Sequence, residues 1–508
     1  MTNAHVQSGD SAGTLLGHPK GLFVLFFAEM WERFSYYGMR ALLIFYLTKH
    51  WLFSDEQSSV IYGAYTALVY ITPVLGGYLA DKYIGQRKAV LFGAVLLTFG
   101  HFLMVFEGSG GQDDPAINIF WLALAFIIVG VGFLKANISV IVGQLYPRTD
   151  VRRDGAYTIF YMGINLGAFL GSLLAGWLGE TYGWKYGFGA AGVGMLLGLI
   201  VFMRGKPLLL GRGEPPDPAR LSAPVAGIKF EWLIYAIGIL IVGVCWWMVQ
   251  NQQLVGGFLG LGGAILVIYV LYTAVAKLQP HDRDRIFAAM FLIIGSILFW
   301  ALFEQAGSSL NLYTDRHVNR GSVPASVFQS INAAYIVLLA PVFAALWTWL
   351  GRRGLEPSAP AKFGLGLVQL GVGFLVLVIG AGTSAGLTPV VFIFLIYLFH
   401  TTGELCLSPV GLSAMNRLAP AHMASLIMGT WFFASATGNF VAGLIAAATG
   451  SERASGEGAG AEVVLEVYNQ IGWIAVGVGV LVLVISPLVK KLMHLDTLRD
   501  DTAAAGAH

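Results

Sequence analysis

Four charged residues lie in the middle of an apolar segment that is long enough to cross a lipid bilayer. The segment spans residues 21–48, roughly thirty residues, whereas a transmembrane helix needs about twenty. Its charged residues are Glu29, Glu32, Arg33 and Arg40. A charged side chain at the bilayer centre costs about 3 kcal/mol or more. These four side chains must therefore face water, a substrate or opposite charges rather than lipid.

The charges share one side of the predicted helix. At about 100° per residue, a narrow face carries Glu29, Arg33, Tyr36 and Arg40, and Glu32 and Tyr37 flank it. One interpretation is a structural ion-pair network that fixes helix packing. The other is an inward-facing surface that binds a substrate and handles protons. The helical periodicity alone leaves both interpretations open.

The whole chain has the composition of a membrane protein. Of its 508 residues, 56% are hydrophobic and only 11% are charged, which is too apolar for a soluble protein. Apolar stretches of spanning length recur to the end of the chain and predict fourteen transmembrane helices.

The formal net charge of +2 gives no indication of nucleic-acid binding. Cys245 and Cys406 both lie in apolar stretches, so we expect packing residues rather than a disulfide framework.

Basic residues set the predicted orientation. Most Lys and Arg residues fall in alternate loops, on the side that also holds both termini, so we expect cytoplasmic termini. The N-terminus lacks the pattern of a cleaved signal peptide. The predicted division is a tail (1–19), a six-helix bundle (20–204), a linker (205–228), two inserted helices (229–276), a second six-helix bundle (277–493) and a tail (494–508).

The charged segment also carries a specific motif, ExxERFxYYG. Its fixed positions are Glu29, Glu32, Arg33, Phe34, Tyr36, Tyr37 and Gly38. The motif resembles the first-helix signature of proton-dependent oligopeptide transporters, a branch of the major facilitator superfamily, and it favours the second interpretation of the charges. Further stretches that resemble this family are 160–167, 303–311, 328–332 and 403–413, and 76–88 resembles the loop motif of the superfamily between its second and third helices. The resemblance extends over about residues 20–490 and departs from the family at Ala333, where a proline is common.

The resemblance implies both a fold and a function. The fold would be all-α and integral to the membrane: a major facilitator fold of two six-helix bundles plus two inserted helices. The function would be uptake of di- and tripeptides with protons, by alternating access, in a bacterial inner membrane. The expected partners are peptide, protons and membrane lipid. We expect a monomer without a cofactor or a metal site.

Site residues are assigned from these motifs and from the predicted depth of each charge. Residues expected to couple protons are Glu29, Glu32, Arg33, Lys135 and Glu304. Residues expected to bind substrate are Arg33, Tyr36, Tyr37, Arg40, Tyr70, Lys135, Asn165, Asn332, Glu404, Trp431 and Ser435. The peptide carboxylate is expected on Arg33 and Lys135, and its amine near Glu404.

Two ion pairs between the bundles are expected to gate the site. Arg40 and Glu304 lie at similar depth in the outer half, and Lys135 and Glu404 in the inner half. One pair would close as the other opens. Helix-interior acids outnumber helix-interior bases by one, so one carboxyl group lacks a full partner and can carry a proton.

Three other functions are alternatives to peptide uptake. A relative that moves another small anion, such as nitrate, is the nearest of them, although Glu29, Glu32 and Arg33 together favour proton-coupled peptides. A membrane enzyme would need a metal cluster or a nucleophile–base pair, and no such motif is present. A channel would favour pore-lining repeats, which are also missing.

Overall fold

The computed structural model describes residues 13–147, 150, 152–450 and 460–495, and almost all of it is helical. Within these residues the long helices are α1 (Lys20–Phe45), α2 (Asp55–Leu79), α3 (Gly85–Leu103), α4 (Ile117–Gln144), α5 (Arg153–Tyr182), α6 (Trp184–Arg204), α7 (Phe230–Gln250), α8 (Gln252–Lys277), α9 (Pro280–Phe303), α10 (Ser330–Arg352), α11 (Ala359–Ala381), α12 (Val391–Leu418), α13 (Ala424–Thr449) and α14 (Ala461–Leu492). The all-α membrane fold with fourteen helices is confirmed. Parts of the two predicted tails, 1–12 and 496–508, lie outside the described residues.

Short elements connect the long helices. Two are π-helical turns (Tyr46–His50 and Ala80–Ile84), four are 3-10 turns (Lys206–Leu209, Glu304–Gly307, Ala325–Gln329 and Ala421–Met423), and two are short α-helices (Pro218–Ser222 and Ser309–His317). Three two-stranded ribbons complete the set. Two are antiparallel (Thr14–Leu15 with His18–Pro19, and Pro224–Val225 with Ile228–Lys229) and one is parallel (Val318–Asn319 with Thr388–Pro389). These ribbons are too short to form a sheet core, so helix packing determines the fold.

Nearly all of the long helices have the length and the apolar composition of a membrane span. Every long helix except α1 lies in a stretch that is long and apolar enough to cross a membrane, and the stretch Asp55–Leu103 contains both α2 and α3. The exception follows from the charges at the centre of α1. Glu29, Glu32, Arg33 and Arg40 are all buried against protein, so none of the four side chains is presented to lipid.

Glycine allows α1 to pack closely against α5. A Cβ atom added at Gly167 would collide with the backbone oxygen of Met30, and one added at Gly171 with that of Phe34. Small residues at such positions let two helix backbones approach closely in a membrane. This contact fixes the rotation of α1 and thereby decides which of its polar residues face the centre of the molecule.

The buried core forms two clusters. One draws mainly on α1–α8 and the other on α8–α14. The two halves meet where α2 packs against α13 and where α5 packs against α10. The inserted helices lie outside the bundles: α7 packs on α4, and α8 contacts α2, α9 and α13. The arrangement is the predicted pair of six-helix bundles with two additional helices.

Candidate substrate site

A cavity of about 360 Å³ lies between the two halves of the molecule. Its walls come from α1, α2, α4 and α5 on one side and from α9, α10, α12 and α13 on the other. The predicted site residues that line it are Arg33, Tyr37, Arg40, Tyr70, Lys135, Asn165, Glu304, Asn332, Glu404, Trp431 and Ser435. The fold therefore brings together residues that are up to four hundred positions apart in the sequence.

Charge divides the cavity walls by sign. The basic residues Arg33, Arg40 and Lys135 all belong to the first half. The acidic residues Glu304 and Glu404 both belong to the second half. A cavity with basic groups on one wall and acidic groups on the other complements a molecule with separated positive and negative charges.

Arg33 lies between two carboxylates on its own helix. Its Nε donates a hydrogen bond of 2.7 Å to Glu29 and forms a 3.1 Å ion pair with Glu32. Both Glu32 oxygens and one Glu29 oxygen lack a hydrogen-bond partner among the described residues. One guanidinium thus faces two buried carboxylates, which leaves this cluster one positive charge short when both carboxyl groups are ionised.

The expected outer pair is formed. Arg40 of α1 forms an ion pair with Glu304, which begins the 3-10 turn after α9. The Arg40 Nε also donates a 2.6 Å hydrogen bond to the hydroxyl of Tyr62. Gly307 lies directly against that hydroxyl, so any side chain there would displace it. This contact joins the first half of the molecule to the second.

The expected inner pair is not formed in this conformation. The ammonium of Lys135 lies 4.3 Å from the ring centroid of Tyr70. Among the described residues, Lys135 makes no ion pair with any carboxylate. Glu404 instead accepts a 3.1 Å hydrogen bond from Asn332, whose amide also donates to Thr401 at 3.0 Å. The cavity separates Lys135 from Glu404, so both charges remain available on its opposite walls.

Additional contacts, which sequence reasoning missed, close the end of the molecule next to the Arg40–Glu304 pair. Lys49 lies 2.7 Å from Asp315, and Arg316 Nη2 donates to Asp55 at 2.9 Å. Each pair joins the first half to the second. Nearby, α2 and α13 touch so closely that an added Cβ at Gly63 would lie 2.7 Å from the Cα of Gly443. Charges at helix ends are common, and only the folded packing reveals which of them meet.

Tyr36 does not line the cavity, contrary to the expectation that it binds substrate. It is 2% exposed and packs beside Tyr37, with a ring-centroid distance of 5.2 Å. Residues 36 and 37 are about 100° apart around a helix. The contact of α1 with α5 rotates Arg33, Tyr37 and Arg40 towards the cavity, which leaves Tyr36 behind the wall. The carboxylates of Glu29 and Glu32 likewise lie behind the wall.

Several lining residues were not among the predicted site residues: Tyr161 and Ser172 on α5, Gln329 before α10, and Tyr397 and Ser408 on α12. Tyr161, Gln329 and Ser408 lie in stretches that resemble the family, but the sequence did not assign them to the cavity wall. Ser172 and Tyr397 are ordinary polar or aromatic residues in apolar helices, and such residues are more often packing groups. A helical spacing of three or four from Asn165 and from Glu404 could have identified Tyr161 and Ser408.

A sequence model of the POT family matches residues 87–465 of this chain, which is well over half of its length. The chain belongs to the POT family. The peptide transporter YePEPT of Yersinia enterocolitica is 38% identical over 466 residues, which cover 85% of this chain and 88% of that one. The dipeptide and tripeptide permease B of Photorhabdus luminescens is 30% identical over 488 residues, which cover 94% of this chain and 98% of that one.

The fold of solved POT-family structures agrees with that of this chain. A crystal structure of a mutant peptide transporter of the family in complex with alafosfalin has a TM-score of 0.82 and 36% identity. The match covers 95% of this chain and 97% of the other. This POT-family chain is therefore a membrane transporter rather than an enzyme, and peptides are the substrate class that its relatives support.

Proposed function

We propose that this POT-family protein takes up di- and tripeptides together with protons, by alternating access. The observation that carries the proposal is the separation of charge across the central cavity. Arg33 and Lys135 lie on one wall, and Glu404 lies on the other. A short peptide is a zwitterion with a carboxylate at one end and an ammonium at the other, so it can contact both walls at once.

The proposed pose follows from which groups already have partners. Lys135 has no ion-pair partner among the described residues, so it is the stronger candidate for the peptide carboxylate. Arg33 shares its charge with Glu29 and contributes less. Glu404, oriented by Asn332, would accept the peptide ammonium. Side chains that could contact the peptide amides and flanks are Tyr37, Tyr70, Asn165, Trp431 and Ser435.

Proton coupling is proposed for the cluster behind the cavity wall. Glu29 and Glu32 compete for one guanidinium, that of Arg33, and a proton on either carboxyl removes the excess negative charge. Arrival of a peptide carboxylate would compete for the same cation. Substrate and proton binding would then favour each other, which is the requirement for symport. Glu304 would exchange its proton as the ion pair with Arg40 opens.

The formed pair and the open pair suggest how access alternates. The Arg40–Glu304 pair and the Lys49–Asp315 pair hold one end of the cavity closed. Closing the other end would bring Lys135 towards Glu404, while the first end opens. Two gates of this kind on opposite sides of a central site would allow the two bundles to rock against each other.

The orientation and the division of the chain are part of this proposal. Both termini would be cytoplasmic in a bacterial inner membrane, in agreement with the distribution of Lys and Arg. The gate at Arg40 and Glu304 would then be the outer one. The segments would be the bundles 20–204 and 277–493, the linker 205–228 and the inserted helices 229–276. A monomer holds the whole proposed site.

The alternative substrate, a small inorganic anion such as nitrate, fits the cavity less well. It would use Lys135 and Arg33 but would leave Glu404 on the opposite wall without a positive partner. A buried acidic group without a positive partner in the same cavity opposes anion binding. The acidic wall therefore favours a zwitterion.

Reconstituted transport tests the proposal. The full chain in liposomes, under an imposed inward proton gradient, should accumulate a labelled dipeptide saturably, and an uncoupler should abolish the accumulation. Unlabelled dipeptides and tripeptides should compete, and nitrate at the same concentration should not. Accumulation of labelled nitrate without peptide competition would contradict the proposed substrate. Peptide exchange that does not respond to the gradient would contradict proton coupling alone.

A further inference from the structure

Two exposed basic side chains meet at one aromatic pair, away from the central cavity. Lys82 lies at the turn between α2 and α3, and Arg220 lies in the linker helix Pro218–Ser222. The Lys82 ammonium and the Arg220 guanidinium carbon are each 5.4 Å from the ring centroid of Tyr83. The ring of Phe230, at the start of α7, contacts Tyr83 edge-on, with a centroid distance of 5.4 Å. We call these four residues the basic corner.

The cations of the basic corner lack acidic partners, unlike their neighbours. Arg87 binds Glu214 of the linker, with one hydrogen bond of 2.8 Å, and Lys88 lies 2.6 Å from Glu231. Among the described residues, neither Lys82 nor Arg220 forms an ion pair with a carboxylate. Glu214 and Glu231 are therefore already neutralised by other bases. Two like charges that converge without an ion-pair partner favour an external anion.

The remaining acids near the basic corner form hydrogen bonds with groups other than its cations. Asp81 accepts a 2.7 Å hydrogen bond from the side chain of Gln86. Asp217 caps the linker helix by accepting a 3.0 Å hydrogen bond from the backbone N–H of Arg220. Lys229, another exposed base, directly precedes Phe230. The three bases Lys82, Arg220 and Lys229 therefore outnumber the two carboxylates at this corner.

Apolar surface flanks the basic corner. Tyr78 is 54% exposed and its hydroxyl accepts a 2.8 Å hydrogen bond from Lys82. Trp232, on the first turn of α7, is 62% exposed, and Ile228 in the preceding strand is 51% exposed. Exposed Trp and Tyr next to Lys and Arg at helix ends are typical of the boundary between headgroups and acyl chains. This combination distinguishes the corner from a basic loop in open water.

We propose that the basic corner binds the phosphate of an anionic phospholipid headgroup, whose acyl chains lie along Trp232 and α7. The guanidinium of Arg220 offers paired N–H donors to phosphate oxygens, and the Lys82 ammonium supplies a second charge. Tyr78 and Tyr83 position Lys82 for this contact. The site gives the inserted helix α7 and the linker a common ligand and is independent of the proposed peptide transport.

Native mass spectrometry of the full chain in detergent tests the site. Phosphatidylglycerol or phosphatidylcholine is added at equal concentration, and the lipids that stay bound are counted. The wild-type chain should retain phosphatidylglycerol in preference to phosphatidylcholine. The double variant Lys82→Gln/Arg220→Gln should lose one bound phosphatidylglycerol, with roughly a ten-fold fall in its apparent affinity. The charge-preserving variant Lys82→Arg/Arg220→Lys should retain it, which excludes misfolding as the cause.

A matched basic pair provides the control. Arg352 is the last residue of α10 and Arg353 follows it; the guanidinium carbon of Arg353 lies 4.1 Å from the ring centroid of Trp349. Arg352→Gln/Arg353→Gln removes the same charge and should leave retention at the basic corner unchanged. The proposal fails if both glutamine variants lose phosphatidylglycerol equally or if neither loses any. It also fails if inorganic phosphate displaces the retained lipid at equal concentration, because the site would then recognise free phosphate.

Discussion

Removing the negative charge from the peptide C-terminus should weaken binding through Lys135. Amidating the C-terminus of a dipeptide deletes one charge-assisted hydrogen bond, and such bonds contribute about 1.5–3 kcal/mol. It also leaves the Lys135 ammonium, which has no ion-pair partner among the described residues, without a counter-charge. Because 1.4 kcal/mol corresponds to about ten-fold in affinity, we expect the amidated peptide to compete at least ten-fold less well.

The surroundings of each cation predict how that loss divides between residues. Arg33 is already bonded to Glu29 at 2.7 Å, so most of the amidation penalty should depend on Lys135. In Lys135→Gln the free peptide should bind less well, and the difference between free and amidated peptides should fall to about three-fold or less, because the lost contact no longer exists. In Glu404→Gln, the penalty for acetylating the peptide amine should shrink in the same way.

Competition against uptake of a labelled dipeptide measures these effects. The assay compares free, amidated and N-acetylated forms of one dipeptide on the wild-type chain and on both variants. Replacing one neutral side chain of the peptide serves as the control and should matter less than either terminal change. If amidated and free peptides compete equally on the wild-type chain, the carboxylate site is not at Lys135. An equal amidation penalty in wild type and Lys135→Gln would refute the same assignment.

Four further results are expected. Glu32→Gln should abolish gradient-driven accumulation of peptide but retain peptide exchange at equal pH on both sides. The reason is that it removes one of the two carboxylates that compete for the Arg33 guanidinium. Persistent accumulation would exclude Glu32 from the proton route. Asp113→Cys should react with an impermeant thiol reagent outside intact cells and Arg212→Cys should not, with the reverse pattern indicating the opposite orientation. Gly171→Ala should lower the free energy of unfolding in detergent by roughly 1–3 kcal/mol, because the added Cβ would collide with the backbone oxygen of Phe34. An unchanged melting temperature would show that α1 and α5 can move apart at little cost. Asp315→Asn should weaken the contact with Lys49 and increase the labelling of cavity residues from the outer side. An accessibility assay in proteoliposomes measures this labelling, and unchanged labelling would contradict a role of this pair in closing the cavity.

The features that the sequence predicted best are those that depend on local chemistry. Spanning helices follow from runs of apolar residues, and the cost of burying a charge requires that Glu29 and Arg40 face the protein interior. Helical periodicity also predicted that Arg33 and Arg40 share one face of α1, and both residues line the cavity. None of these inferences needed knowledge of a residue on another helix.

The rotation of a helix and the partner of a charge were decided by tertiary structure. Tyr37, which lines the cavity, and Tyr36, which does not, are about 100° apart around α1, so the rotation of this helix decides which of them reaches the cavity. The approach of Gly167 and Gly171 to α1 helps to fix that rotation, and no local stretch of sequence contains this information.

The pairing of charges depends further on which conformation the two halves adopt. Arg40 and Glu304 are in contact, whereas Lys135 and Glu404 face each other across the cavity. In sequence the two pairs look equivalent, because each joins a base of the first half to an acid of the second. Composition and periodicity thus determined that these charges are buried in helices. The packing of the two bundles determined which of them meet, because the distance across the interface depends on the relative position of whole bundles rather than on any local stretch of the chain.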